Sequence, residues 1–156
     1  MFGKRAGLVG LVTAGLVVSA VAVASADAGS GVTSVLIGRG QSDQSFKIHQ
    51  QTGNDVVTAQ NTFAPGGFSG WHSHPGIVVL VVQSGEVTIF SEPVDGDECS
   101  VHTYTAGQVF LERPEDEQNV VNNGTVPAVV AVTFFNVPHG GSNRIERTDP
   151  GNCPPS

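Results

Sequence analysis

Two histidines stand two residues apart in the segment Gly70-Trp71-His72-Ser73-His74-Pro75. On an extended strand, residues i and i+2 share a face, so both imidazoles can reach one ion. Imidazole suits zinc, copper, iron and nickel, but a pair needs further donors to complete a site. A polar pocket lining without metal is the competing reading of the same two side chains. Other chemistries lack their residues. No Gly-x-Ser-x-Gly context presents a nucleophilic serine. Gly38-Arg39-Gly40 has neither the following helix nor the Lys-Ser/Thr pair of a phosphate-binding loop. Two cysteines, Cys99 and Cys153, are too few for a cysteine-rich zinc module.

The elements that must position the histidines read as short strands. Val35-Leu36-Ile37 is an apolar run closed by Gly38, and Phe46 and Ile48 alternate with Lys47 and His49. Apolar residues recur from Val56 to Phe63. Ile77 to Val82 is continuous and β-branched, which predicts a central strand buried on both faces. Ser84-Gly85 reads as the tight turn of a β-hairpin, with Val87 and Ile89 on the returning strand. His102–Tyr104, Val109–Leu111, Asn119–Val121 and Val129–Phe135 complete the set. Turn signals separate them at Pro65-Gly66-Gly67, Asp95-Gly96, Ala106-Gly107 and Asn123-Gly124, the last read as a hairpin turn. Strands this short and this regularly interrupted predict an all-β sandwich or barrel. Glu115-Asp116-Glu117 reads as a solvated acidic turn, and His49, His102 and His139 as surface residues.

The chain has 156 residues, which suits one domain, and 39% of them are apolar, enough for a core. Its net charge is -7, with the basic residues dispersed, so phosphate-driven nucleic-acid binding is not expected. Residues 1–26 read as a secretory signal. Lys4 and Arg5 precede an uncharged stretch from Ala6 to Ala26, which ends Ala24-Ser25-Ala26. Cleavage before Asp27 gives an exported protein with no membrane partner; an uncleaved anchor is the alternative. Export favours a Cys99–Cys153 disulfide stapling the Pro/Gly-rich tail, residues 139–156, onto a barrel loop. Two free thiols are the alternative.

Gly66, five residues, His72-Ser73-His74 and later Gly85 resemble the first motif of the cupin superfamily. Gly107, Pro114 and Asn122 resemble its second. The resemblance covers about residues 56–135 and is closest to small exported single-domain bacterial cupins. Trp71-His72-Ser73-His74-Pro75-Gly76, Tyr104-Thr105-Ala106-Gly107 and Asp149-Pro150-Gly151-Asn152-Cys153-Pro154 carry that closer likeness. It implies a double-stranded β-helix, or jelly roll, over residues 27–138, with the histidine pair facing the interior. It also implies a small-molecule ligand, one divalent transition metal (iron, manganese, nickel, copper or zinc) and pairing into a homodimer.

The departures are specific. The motif's glutamate falls on Val78, or on Val79 by the longer spacing, and its second-block histidine falls on Gln118. The resemblance therefore implies His72, His74 and Gln118 as metal and ligand-binding residues, a neutral set without the carboxylate of a two-His-one-carboxylate triad. Glu117, Glu112 and His102 are the substitutes the chain offers. Three functions stay open: a metal-free or weakly metallated binder, a metal-dependent oxygenase or isomerase, and a non-catalytic structural barrel.

Overall fold

The computed structural model describes residues 30–92 and 99–153. The signal expected over residues 1–26 lies outside them. The chain divides into two units, Met1–Ser34 and Val35–Ser156. Of the first, residues 30–34 are described, and all are exposed. No helix among the described residues is long and apolar enough to cross a membrane.

The second unit is all-β. Its strands are β1 (Asp55–Phe63), β2 (His72–Ser73), β3 (Val78–Ser84), β4 (Glu86–Glu92) and β5 (Ser100–Thr105), followed by β6 (Val109–Glu112), β7 (Glu117–Val121), β8 (Ala128–Val137) and β9 (Ile145–Glu146). They form two sheets, ordered β1-β8-β3-β6 and β5-β4-β7-β2-β9. Every named pair within them is antiparallel. The two sheets enclose the core of a jelly roll. On β8, alternation places Ala128, Val130, Val132 and Phe134 on the buried face, and on β3 it places Val78, Leu80 and Val82 there. Val87 and Ile89 of β4 and Val120 of β7 meet them from the other sheet. Branched side chains suit this pleated surface, and each one fully buried contributes roughly 1.5–3 kcal/mol.

Four sequence expectations need correction. Ser84-Gly85 does not close a hairpin: β3 pairs with β6 and β8, whereas β4 pairs with β5 and β7. The turn carries the chain from one sheet to the other. Gly85 adopts φ 70°, and a Cβ there would lie 2.8 Å from Ala128 Cα. Asn123-Gly124 likewise joins β7 to β8 across sheets, with the Gly124 amide donating to Asn122 Oδ1. β3 is buried on one face only, because its outward residues Val79 and Val81 remain half-exposed. Val35, Leu36 and Ile37 form no strand and are 57–77% exposed. Three residues offer too little apolar face to fix a register.

A bulge near the end of β8 also has a local cause. Between Asp55 and Val57 the β1–β8 register shifts, and Asn136 takes φ 54°. Its amide is satisfied in that conformation by the His49 carbonyl at 2.6 Å and the Gln51 N–H at 2.6 Å.

Residues 139–153 are not a loose tail. They supply β9, which pairs with β2, and they are tied back by a Cys99–Cys153 disulfide, as the exported setting suggested.

Candidate metal centre

His72 lies on the two-residue strand β2, between β7 and β9, opposite Gln118 on one side and Glu146 on the other. His74 follows one residue beyond the strand. Both imidazoles are buried, at 5% and 3% exposure, and their rings meet edge to face with centroids 4.8 Å apart. The same-face reading of the pair therefore holds. Ser73 between them is fully buried and points away, where its hydroxyl accepts from Arg147 Nε at 2.9 Å.

The third donor is Glu112, the last residue of β6. It is 2% exposed, and its Oε2 lies 3.0 Å from His74 Nε2. One ligand atom from each of His72, His74 and Glu112 falls within 4.8 Å of the others. The carboxylate has an informative address. In the β3–β6 ladder, Glu112 sits directly opposite Val78, the position on which motif spacing places the missing glutamate. Directly opposed residues of an antiparallel pair share a face. The acid is thus present one strand over, facing the same interior. Of the other substitutes, His102 is exposed on β5, and Glu117 is half-buried with Arg147 3.7 Å away, so neither belongs to the cluster.

Gln118 is buried at 2% exposure beside His72, and its Nε2 has no partner. It stands on strand β7. It does not line the cavity beside the histidines, however, and lies outside the three-residue cluster.

The hydrogen bonds fix what each ring can do. His72 Nδ1 lies 2.8 Å from the Gly70 carbonyl, and His74 Nδ1 bonds to the Asn143 carbonyl. A carbonyl only accepts, so each Nδ1 carries a proton, and a ring in its neutral form presents its Nε2 lone pair. His74 Nε2 and Glu112 Oε1 have no hydrogen-bond partner. The 3.0 Å approach of His74 Nε2 to Glu112 Oε2 is an ion-pair distance without hydrogen-bond alignment. A lone pair and a carboxylate oxygen therefore face one another in a buried site, an arrangement that a cation between them resolves. Burial holds His72 below its ordinary value, against the opposing pull of Glu112. That keeps the ring neutral and able to ligate.

Beside the cluster is a cavity of about 190 Å³. Its walls include Phe63, Leu80, Val132 and Phe134, with Arg144 and Asn61 as polar members. The Arg144 guanidinium is held by Glu146, with Nε to Oε1 at 2.6 Å and Nη2 to Oε2 at 3.0 Å, and Nη2 also donates to the Ser69 carbonyl at 2.8 Å. That pairing draws the Glu146 carboxyl below its usual range. Sequence reasoning did not single out Arg144 or Asn143, which neither motif contains.

Residues 60–135 match the family model of the cupin domain. No curated protein matches the chain. Among solved structures, an oxalate oxidase is 26% identical with a TM-score of 0.51, over 58% of this chain and 45% of its own. Recombinant oxalate oxidase in complex with glycolate matches with the same figures. A Bacillus subtilis oxalate decarboxylase, studied for its Mn(II) centres, is 23% identical with a TM-score of 0.52, over 60% of this chain and 24% of its own. This last likeness speaks for the fold alone. The chain spans less than half the length of each of these proteins.

Proposed function

The chain belongs to the cupin family through its cupin domain at residues 60–135, and from that premise we propose an exported barrel that binds a small molecule at one divalent transition metal held by His72, His74 and Glu112. One observation carries the reading: two imidazoles and a carboxylate converge in a buried site, with both Nδ1 atoms already engaged. Two histidines and one carboxylate are the donor set of non-haem iron oxygenases, which leaves coordination positions open. Oxygenase-type chemistry is therefore the reaction class this donor set favours, and the metal, when bound, would act there as a Lewis acid or redox centre.

The protein's own groups select the ligand. A cavity of about 190 Å³ holds roughly six waters, so the ligand has few heavy atoms. Arg144 on the wall favours an anion. Gln118, buried beside His72 with its Nε2 unpartnered but outside the cavity lining, is assigned to neither the metal nor the cavity's ligand. A small carboxylic acid suits these features, and the likeness to an oxalate oxidase bound to glycolate supports that class. Export is supported by the Lys4-Arg5 start, the uncharged stretch after it and the Cys99–Cys153 disulfide.

The test is metal content by mass spectrometry on protein expressed with its leader and without a histidine tag. A near-stoichiometric transition metal, lost in His72→Ala, is expected, and glycolate should then shift the melting temperature of the loaded protein. Metal content unchanged by His72→Ala, or no uptake of any divalent ion after soaking, would overturn the assignment.

A further inference from the structure

We propose that residues 143–153 act as a clasp that fixes the tautomer and aim of both histidines, with Arg147 as its positioning residue and the Cys99–Cys153 disulfide as its anchor. The clasp is argued from the described side chains; only its effect on affinity rests on the metal reading above.

The clasp reaches each histidine through a different contact. The Asn143 carbonyl accepts from His74 Nδ1, which leaves the Nε2 lone pair directed at Glu112. β9 pairs with β2 in register, Glu146 opposite His72 and Ile145 opposite Ser73. Arg144 Nη2 donates to the Ser69 carbonyl, next to Gly70, whose own carbonyl holds His72 Nδ1. Gly70 adopts φ 72°, a conformation that turns this carbonyl without steric cost. Removal of the clasp would leave β2, two residues long, paired with β7 alone. A strand that short has no register of its own.

Arg147 joins the clasp to the back of the histidine segment. Its amide donates to the Trp71 carbonyl at 3.1 Å, and its Nε donates to Ser73 Oγ at 2.9 Å, between the two histidines. Its Nη2 bonds Glu115 Oε2 at 2.7 Å, and the Glu115 amide donates to the His74 carbonyl at 3.0 Å. Glu115 is held at φ 65° to do so. One guanidinium therefore ties the β6–β7 loop, Ser73 and β9 into a single unit behind the ligands, without touching the cavity. Farther along, Asn152 Nδ2 donates to Glu92 Oε1 at 2.8 Å, and Cys153 is bonded to Cys99. Groups that orient ligating imidazoles typically change metal affinity by about 10–100-fold when lost.

The test reads two quantities that a merely stabilising staple would not move. The first is the tautomer of each imidazole by nitrogen NMR in metal-free protein. The second is the dissociation constant for Co²⁺. Wild type should show Nδ1–H at both histidines. Arg147→Ala should give His74 a mixed tautomer and bind Co²⁺ about tenfold more weakly, and Arg147→Lys should recover part of both. The Cys99→Ser, Cys153→Ser pair should shift both readouts in the same direction, and it decides the matter where Arg147→Ala does not fold. A His74 that stays wholly Nδ1–H, with Co²⁺ affinity within twofold of wild type in every folded variant, would overturn the clasp. Wild type that binds no Co²⁺ would remove the metal reading, and the tautomers alone would then decide the clasp.

Discussion

Glu112→Gln separates a metal site from a structural ion pair. In the wild type, Glu112 is 2% exposed, its Oε1 is unpartnered, and its Oε2 faces the His74 Nε2 lone pair at 3.0 Å. The substitution keeps the shape, removes the buried charge and supplies an amide N–H that His74 Nε2 can accept. The new hydrogen bond satisfies His74 Nε2, a buried acceptor left unpartnered in the wild type, which is worth about 1–3 kcal/mol. In chelator, Glu112→Gln should therefore be more stable than wild type by roughly 2 kcal/mol. That raises the melting temperature by about 8 °C for a domain of this size. Metal reverses the order. At a concentration about 100 times its dissociation constant, a bound ion adds about 2.7 kcal/mol to wild type and almost nothing to the variant. Thermal unfolding of both proteins, in EDTA and in excess Co²⁺, gives the four values needed. If His74 were instead an imidazolium paired with Glu112, breaking that buried pair would cost about 3–5 kcal/mol. A Glu112→Gln protein destabilised by that much in EDTA would refute the reasoning.

Three further outcomes follow from named contacts. Burial lowers the His72 pKa below 6.5, so the unfolded chain binds the proton first as pH falls, and metal-free stability declines from about pH 6.5 downward. Urea midpoints at pH 7.5 and 5.5 should show this gap, smaller in His72→Ala; they are best compared in a His139→Ala background. The exposed His139 is raised by its hydrogen bond to Asp55, so its contribution has the opposite sign, present at low pH and lost as pH rises. The Cys99–Cys153 disulfide spans 54 residues, and chain entropy assigns such a loop about 4 kcal/mol. Urea unfolding of the double serine variant should show a loss of about 2–4 kcal/mol, and a loss near zero would contradict it. Gly85→Ala places a Cβ 2.8 Å from Ala128 Cα in a left-handed residue, and should cost about 2–3 kcal/mol in the same assay.

Most of the strands were legible because branched residues and turn glycines report local conformation, although Val35-Leu36-Ile37 and the Phe46–Ile48 stretch form none. Their pairing was not. Ser84-Gly85 carries the local marks of a hairpin, yet β4 joins the opposite sheet, because partners as distant as Val121 and Thr105 set its register. His72 and His74 were legible from a spacing of two, and the disulfide from export chemistry. Glu112 was harder to find. Val109-Phe110-Leu111 is apolar in both phases, so alternation does not say which phase faces inward. Counting along the chain locates the carboxylate at Val78, and linear spacing carries no sign that Glu112 is its cross-strand neighbour. Asn143 acts through a backbone carbonyl, to which side-chain identity gives no clue.

The seating of β2 between β7 and β9 also orders events in time. His72 and His74 leave the ribosome before most of what organises them: Glu112, Gln118, Asn143 and Arg147 all lie downstream. Even β1 must wait for β8. Such non-local pairing is slow to form. A chain still threading through an export channel would carry two exposed imidazoles and no site. For a chain exported unfolded, as proposed above, any loading with metal would wait for the far side of the membrane, after the last strand has closed, and the barrel would capture the ion available there.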